Sequence, residues 1–210
     1  MHTRRATLGA LAAAGVTALA GCSQFDDVTN QEADPAAVEE SAAGSANFEQ
    51  DRLRDQTYEQ SVEVAGESQE FKLTNWTNQY TPTAAGVDFD AASFLLFTTP
   101  TVSVAGQSAN PFGQLDTEQL LQRMVDRLDI TPVESVQRVG ERTVTVLDDQ
   151  VTVEEFNAES KSGVQLRLHL GDRTHDGDLL VLLGLHPELL EMTGDVDTLA
   201  EGTVHPAERP

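Results

Sequence analysis

Short apolar segments separated by turn residues run through positions 52–206 and restrict this stretch of the chain to a β-rich fold. Residues 58–64 and 71–80 flank a Gly-Glu-Ser turn, which predicts a β-hairpin. Residues 93–97 and 179–185 are apolar at nearly every position, so we expect two strands that are buried on both faces.

The later part of this stretch predicts four consecutive strands, of which residues 179–185 are the last. Residues 143–147 and 151–156 are joined by Asp-Asp-Gln, and residues 164–170 alternate apolar with polar side chains, as a half-exposed strand does. Asp176-Gly177 then predicts a tight hairpin turn, because both residue types tolerate the positive φ angles that such a turn requires.

Residues 116–128 form the clearest predicted helix, because their apolar side chains recur with a period of 3.6 residues. Asp116 and Gln119 are spaced for a capping box at its start. A shorter helix is expected at residues 195–201, ending at Gly202. The element order predicts a single α+β domain at residues 51–206, an antiparallel sheet with one long and one short C-terminal helix packed on it, and a tail at residues 207–210.

The first 21 residues resemble a signal peptide. Arg4 and Arg5 precede an uncharged segment at residues 6–20, which is shorter than the roughly 20 apolar residues that span a bilayer. A paired arginine before a mildly apolar segment is typical of Tat leaders, which export folded proteins. Leu19, Ala20 and Gly21 then precede Cys22 as in a lipobox, so we expect cleavage before Cys22 and lipid attachment to its thiol.

Cys22 is the only cysteine in the chain, so no intrachain disulfide can form. We expect membrane lipid attached through Cys22 to hold the protein at the outer face of the cytoplasmic membrane. Residues 22–50 contain few large apolar groups, so we expect the lipidated cysteine to be followed by a flexible acidic spacer that places the domain beyond the membrane surface.

The formal net charge of −22, from 35 acidic and 13 basic residues, argues against nucleic acid as a partner. An acidic surface that is poor in lysine is typical of proteins from extreme halophiles, since strong salt screens the repulsion between carboxylates. A cation-binding surface is the alternative interpretation. Nothing in the sequence indicates an oligomer, so we expect a monomeric domain.

No catalytic, metal or cofactor motif stands out. The histidines after the leader lack the helical or paired spacing of a zinc site, and the carboxylates lack the order of a calcium loop. We therefore expect no metal, no cofactor and no enzymatic activity. An unmarked carboxylate pair of a hydrolase is left open, since its two members can lie far apart in the chain. Asn75 begins an Asn-Trp-Thr sequon and is a candidate for N-glycosylation.

Several segments together carry a resemblance to a known family. They are residues 97–106 with Asn110-Pro111 and the helix that follows, residues 138–147, residues 151–156, residues 179–185 and the terminal Gly202-Thr203-Val204-His205-Pro206. These segments resemble the halophilic archaeal lipoproteins that contain domain of unknown function 6517. The resemblance covers most of residues 55–206 and implies a shared fold and location, with no catalytic residues. The element order is also similar to the Mog1/PsbP-type α/β sandwich, although fold alone does not determine function.

The leading hypothesis is a lipid-anchored, non-enzymatic envelope protein that acts by binding or has a structural role. A surface hydrolase with an unmarked carboxylate site is one alternative. An accessory lipoprotein that binds a solute or a cation is the other.

Overall fold

The strand segments assemble into one large sheet in a computed structural model, which describes residues 30–64, 67–83, 92–104, 107–108, 110–127 and 133–209. The strands are β1 Asn30–Glu32, β2 Ala37–Val38, β3 Phe48–Val64, β4 Glu67–Pro82, β5 Ser93–Pro100, β6 Ser103–Val104, β7 Gln107–Ser108, β8 Val133–Val146, β9 Asp149–Ser160, β10 Gln165–His175, β11 Asp178–Pro187 and β12 Thr203–Val204. The helices in these residues are α1 Glu40–Ser45, α2 Thr117–Val125 and α3 Thr193–Glu201, with a 3₁₀ turn at Pro111–Gln114.

The sheet has the strand order β1-β4-β5-β11-β10-β9-β8. β3 pairs along one edge of β4, and β1 and β5 both pair with the opposite edge. Every neighbouring pair is antiparallel except β1 with β4, which is parallel, so the sheet is mixed. Two short antiparallel pairs, β2 with β12 and β6 with β7, lie outside it. The described chain is thus mostly β-sheet with three helices, which agrees with an α+β class.

The two faces of the sheet cover the two larger of three hydrophobic clusters in the described residues. Alternate residues of β5 and β11 point into different cores, which explains why both strands are apolar at nearly every position. The first core also receives α1 and α3 and contains Val38, Ala43, Phe48, Tyr80, Phe94, Leu96, Leu180, Leu182, Val196 and Leu199. The second core receives α2 and contains Leu95, Phe97, Leu120, Leu121, Met124, Phe156, Leu168, Leu170, Val181 and Leu183.

The prediction of a flexible spacer is wrong for residues 30–50, which belong to the domain. β1 pairs with Lys72–Thr74 of β4, and α1 places Ala43 in the first core. The backbone N–H of Val38 donates a hydrogen bond of 2.8 Å to the hydroxyl of Tyr80. The error has a physical cause: this segment packs mainly through alanines, whose small side chains allow close contact but give a weak apolar signal in the sequence.

The close approach of α1 to the last helix depends on Gly202. A Cβ atom at this position would lie only 2.2 Å from Cβ of Ala42 in α1. The glycine therefore lets α1 lie directly against the end of α3, which covers one edge of the first core.

The predicted local signals of the second half are confirmed. In α2, Asp116 accepts a hydrogen bond of 2.8 Å from the backbone of Gln119, whose side chain bonds back to the backbone of Asp116. Asp176 and Gly177 have φ angles of 49° and 91° and close the β10–β11 hairpin. Among the described residues, no helix has the length and apolar character needed to cross a membrane.

Candidate functional site

One end of the sheet brings together a pocket and several buried polar groups. There β5 ends at Pro100, β10 ends at His175 and β11 begins at Asp178, and the register places these three residues side by side. We call this the turn end of the sheet. It includes the Asp176-Gly177 turn, whose Gly177 carbonyl accepts a backbone hydrogen bond of 2.9 Å from Thr101.

A pocket of about 330 Å³ opens at the turn end, between the second core and the chain that follows β5. Its lining combines apolar side chains from α2 and β11, such as Leu120 and Leu179, with hydroxyl groups from Thr101, Thr117 and Thr174. A concave site with an apolar base and a few polar groups is the usual form of a small-molecule site.

Asp172 is the only carboxylate among the described residues that line this pocket. Asp172 is an exposed residue, but partial desolvation of its carboxyl raises the pKa of Asp172, and the nearby Glu154 raises it further. Glu154 itself accepts hydrogen bonds from Nε of Arg138 at 2.6 Å and from the hydroxyl of Thr117 at 3.2 Å. Two neighbouring carboxyl groups therefore sit in different environments: Glu154 is ion-paired, and the pKa of Asp172 is raised.

A buried polar network holds the chain on the other side of the pocket. Nδ2 of Asn110 donates to the hydroxyl of Thr99 at 2.8 Å and to the carbonyl of Pro100 at 2.6 Å. Oδ1 of Asn110 accepts from the backbone N–H of Phe112 at 2.9 Å. Because these bonds join the end of β5 to the 3₁₀ turn, they position the hydroxyl and aromatic groups around the pocket.

The sequon residue Asn75 belongs to the same network. Its Oδ1 accepts a 2.7 Å hydrogen bond from Thr99, and only 2% of the residue is exposed. The structure contradicts the predicted N-glycosylation of the folded domain, because an enzyme cannot reach a side chain that faces a neighbouring strand inside the sheet. The other predicted site residues, Arg4, Arg5, Leu19, Ala20, Gly21 and Cys22, lie outside the described residues.

Two histidine pairs were not predicted. In the first pair, Nε2 of His169 lies 3.0 Å from Nε2 of His186. A guanidinium can only donate, so the 2.8 Å contact from Arg142 makes Nδ1 of His169 an acceptor and places its proton on Nε2. His169 then donates to His186, whose Nδ1 donates to the carbonyl of Pro187 at 2.9 Å.

This arrangement keeps both imidazoles neutral. Burial, followed by the charge of Arg142, lowers the pKa of His169 to about 3, and burial also lowers the pKa of His186. Arg142 is in turn held by Glu155 at 2.9 Å and by Asp197 of α3 at 2.5 Å. The network therefore connects β8, β9, β10 and β11 to the last helix.

The second pair lies at the turn end, where Nδ1 of His175 is 3.0 Å from Nδ1 of His205. Nε2 of His205 lies 3.3 Å from a carboxylate oxygen of Asp178 and 3.2 Å from the carbonyl of Asp34. That carboxylate oxygen also accepts a 2.8 Å hydrogen bond from the backbone N–H of Asp34. The C-terminal residues are thereby attached to the start of the domain.

The sequence did contain a signal for the first pair. A two-residue turn at Asp176-Gly177 places His175 opposite Asp178, and counting back from there places His169 opposite Gly184. His186 is then its diagonal neighbour on the same face. His205 carries no such local signal, because it meets His175 only through the fold of the C-terminal segment.

A comparison with models of protein families assigns the chain to one of them. The model of a family described as a domain of unknown function (DUF6517) matches residues 35–204. The chain belongs to this family. No curated protein matches it. The DUF6517 match begins before β2, so it includes most of the ordered segment that the sequence predicted as spacer.

Proposed function

We propose that this DUF6517 protein is an exported lipoprotein of a halophile that holds its domain at the outer face of the cytoplasmic membrane through Cys22. The domain acts there as a monomer, by binding a small polar solute without catalysis. The observation that carries the binding role is the pocket at the turn end, with its hydroxyl groups and the raised pKa of Asp172.

The anchor is supported by the N-terminal sequence. Arg4 and Arg5, the apolar segment after them and the Leu19-Ala20-Gly21-Cys22 motif have the order that export and lipidation require. A single acyl chain binds membranes only weakly, so the lipid on Cys22 carries two chains. The acidic, lysine-poor composition supports a strongly saline environment.

The short tether supports a domain that lies close to the membrane. Only residues 23–29 separate Cys22 from β1, and seven extended residues reach at most about 25 Å. β1 begins opposite Lys72, beyond the point where Trp76 of β4 pairs with Thr98 of β5, and thus at the turn end of the sheet. The pocket and the start of β1 therefore lie at the same end of the sheet.

The layered arrangement supports assignment to the Mog1/PsbP-type sandwich. α1 and α3 contribute to one core, and α2 contributes to the other, with the sheet between them. This assignment concerns the fold and carries no ligand with it.

Replacing the lipidated residue tests the anchor. In Cys22→Ser the thioether cannot form, so we expect uncleaved precursor, or release of the protein into the medium, where the parent stays with the membrane. Fractionation of native cells in high salt, with mass determination of the N-terminal peptide, measures both outcomes. A processed Cys22→Ser protein that stays in the membrane at the parent's level would contradict the proposal.

Ligand-induced stabilisation tests the pocket. A ligand that binds only the folded state at 100 times its Kd stabilises it by about 2.7 kcal/mol, which raises Tm. A panel of monosaccharides, polyols and neutral amino acids is to be screened by thermal unfolding of the parent, of Asp172→Asn and of the exposed control Glu118→Gln. We expect a solute that stabilises the parent and the control and loses its effect in Asp172→Asn. Equal stabilisation of all three proteins would place binding elsewhere.

A surface hydrolase is the second candidate, and one observation favours it. Asp172, with its raised pKa, and the ion-paired Glu154 resemble the acid and base of a carboxylate pair. Hydrolysis of a panel of chromogenic glycosides that disappears in both Asp172→Asn and Glu154→Gln would support the hydrolase. Binding without turnover would support the solute-binding role.

A further inference from the structure

The His175–His205 pair has the geometry of two metal ligands. Tetrahedral zinc, with Zn–N bonds of about 2.0–2.1 Å, separates two ligand nitrogens by about 3.3 Å, and a square-planar ion separates them by about 2.9 Å. The two Nδ1 atoms lie 3.0 Å apart, between these values, with their rings inclined at 73°. One ion could therefore be reached by both nitrogens with a small movement of either ring.

The neighbours of His205 leave its Nδ1 free to act as a ligand. Nε2 of His205 faces only acceptors, the carboxylate of Asp178 and the carbonyl of Asp34, so the imidazole carries its proton on Nε2. The lone pair is then on Nδ1 and points at His175. A histidine that binds a metal through one nitrogen and donates the other to a carboxylate is the usual arrangement of metal sites, because the carboxylate fixes the tautomer.

His175 can supply the second ligand. Its side chain is 25% exposed, so Nδ1 can release its proton to solvent and Nε2 can take one up when Nδ1 binds an ion. Without an ion, Nδ1–H of His175 donates to Nδ1 of His205. Ion binding thus requires only that His175 exchange one neutral tautomer for the other.

The other pair shows what a purely structural histidine pair looks like in this protein. His169 and His186 have the same 3.0 Å separation, but Arg142 occupies the second nitrogen of His169 as a donor. The hydrogen bond between them therefore has a fixed direction, and a guanidinium lies where a metal site would need a neutral or negative group. At the turn end, a carboxylate stands in the equivalent place.

We propose that Nδ1 of His175 and Nδ1 of His205 bind a divalent transition-metal ion such as Zn²⁺ or Cu²⁺, with Asp178 orienting His205. Among the described residues no three His, Cys, Asp or Glu side chains surround one point, so water completes the coordination. Imidazole nitrogen selects these ions over Mg²⁺ and Ca²⁺, which prefer oxygen. The site is distinct from the solute pocket, which opens on the opposite face of the sheet.

Calorimetric titration with Zn²⁺ alone tests the site. The full-length chain is used without an affinity tag and with Cys22→Ser and His2→Gln. These substitutions remove a thiol and an imidazole near the N-terminus that would compete for Zn²⁺. We expect one Zn²⁺ per chain, no heat with Mg²⁺, and at least about 10-fold weaker binding in His175→Gln. Asp178→Asn should weaken binding by about 10- to 100-fold, as loss of an orienting carboxylate does. The matched control His186→Gln, from the structural pair, should bind like the parent.

A spectroscopic measurement keeps the test decisive if a variant folds poorly. Electron paramagnetic resonance of one equivalent of Cu²⁺ on the parent chain should show nitrogen hyperfine splitting from two imidazoles. Zn²⁺ binding weaker than about 100 μM in the parent would overturn the proposal. So would binding that is equally tight in a folded His175→Gln, or a Cu²⁺ spectrum without nitrogen splitting.

Discussion

The imidazole of His169 is fully buried in the sheet and accepts a hydrogen bond from a guanidinium, which makes its protonation costly. The folded protein binds a proton at His169 only near pH 3, whereas the unfolded chain binds one below about pH 6.5. The unfolded state therefore binds more protons between these values. Stability contributed by His169 is complete above pH 6.5 and is lost as the pH falls toward 3.

We expect His169→Gln to reduce this pH dependence. Over the range from pH 6 to pH 4, one such group contributes about 1.4 kcal/mol per pH unit to the slope of the unfolding free energy. The variant should be less stable than the parent at pH 7 and should lose less stability on acidification. Denaturant unfolding at several pH values measures both slopes. Parallel pH profiles of parent and variant would show that His169 takes up its proton at the same pH in the folded and the unfolded state.

The contact between β11 and α3 depends on a glycine in the strand. A Cβ atom at Gly184 would lie 2.7 Å from one methyl group of Val196 and 2.8 Å from the other. Val196 is a β-branched residue in a helix and has little rotamer freedom with which to move away. The strand and helix therefore approach each other at a distance that only glycine permits.

We expect Gly184→Ala to destabilise the protein by about 1–3 kcal/mol, because α3 must shift or Val196 must leave its rotamer. Gly194→Ala is the matched control in α3, since a Cβ atom there meets nothing within 4 Å. Alanine also favours a helix over glycine, so the control should be neutral or slightly stabilising. Thermal or urea unfolding of the three proteins measures the difference. Equal losses in both variants would mean that the packing of α3 on β11 is looser than the structure shows.

At the scale of the whole molecule, residues 30–50 complete the fold. They supply β1 at the side of β4, α1 against the end of α3, and the buried Phe48 that starts β3. Their removal would expose the first core and leave part of β4 without its parallel neighbour.

We therefore expect a chain that begins at residue 51 to be unfolded or aggregated, and a chain that begins at residue 30 to fold. The reason is that the shorter chain exposes apolar surface of the first core to water, at about 25 cal/mol per Å². Circular dichroism and size-exclusion chromatography of both chains measure folding. If the chain from residue 51 is monomeric and unfolds cooperatively, residues 30–50 are not needed for folding and the predicted spacer is correct.

The predictions from sequence succeeded where a signal was local. The strand pairs, α2 with its Asp116 capping box, and the turn at Asp176-Gly177 all depend on residues close together in the chain. They failed where small residues carried the packing, as at Ala43, or where an exposed-looking sequon fell in a central strand, as at Asn75. In both cases the burial of the residue depends on neighbours that lie far away in the sequence.

By itself, the sequence determined the main elements after residue 50, the family and the register of the last hairpin, since periodicity and turn chemistry act over a few residues. Only the tertiary structure decided which side chains meet at the turn end. His205 reaches the carbonyl of Asp34 across 171 positions, and Asp34 reaches Asp178 across 144. Contacts of this kind form only when the strands have assembled into the sheet and packed on its cores. No local sequence pattern therefore encodes them.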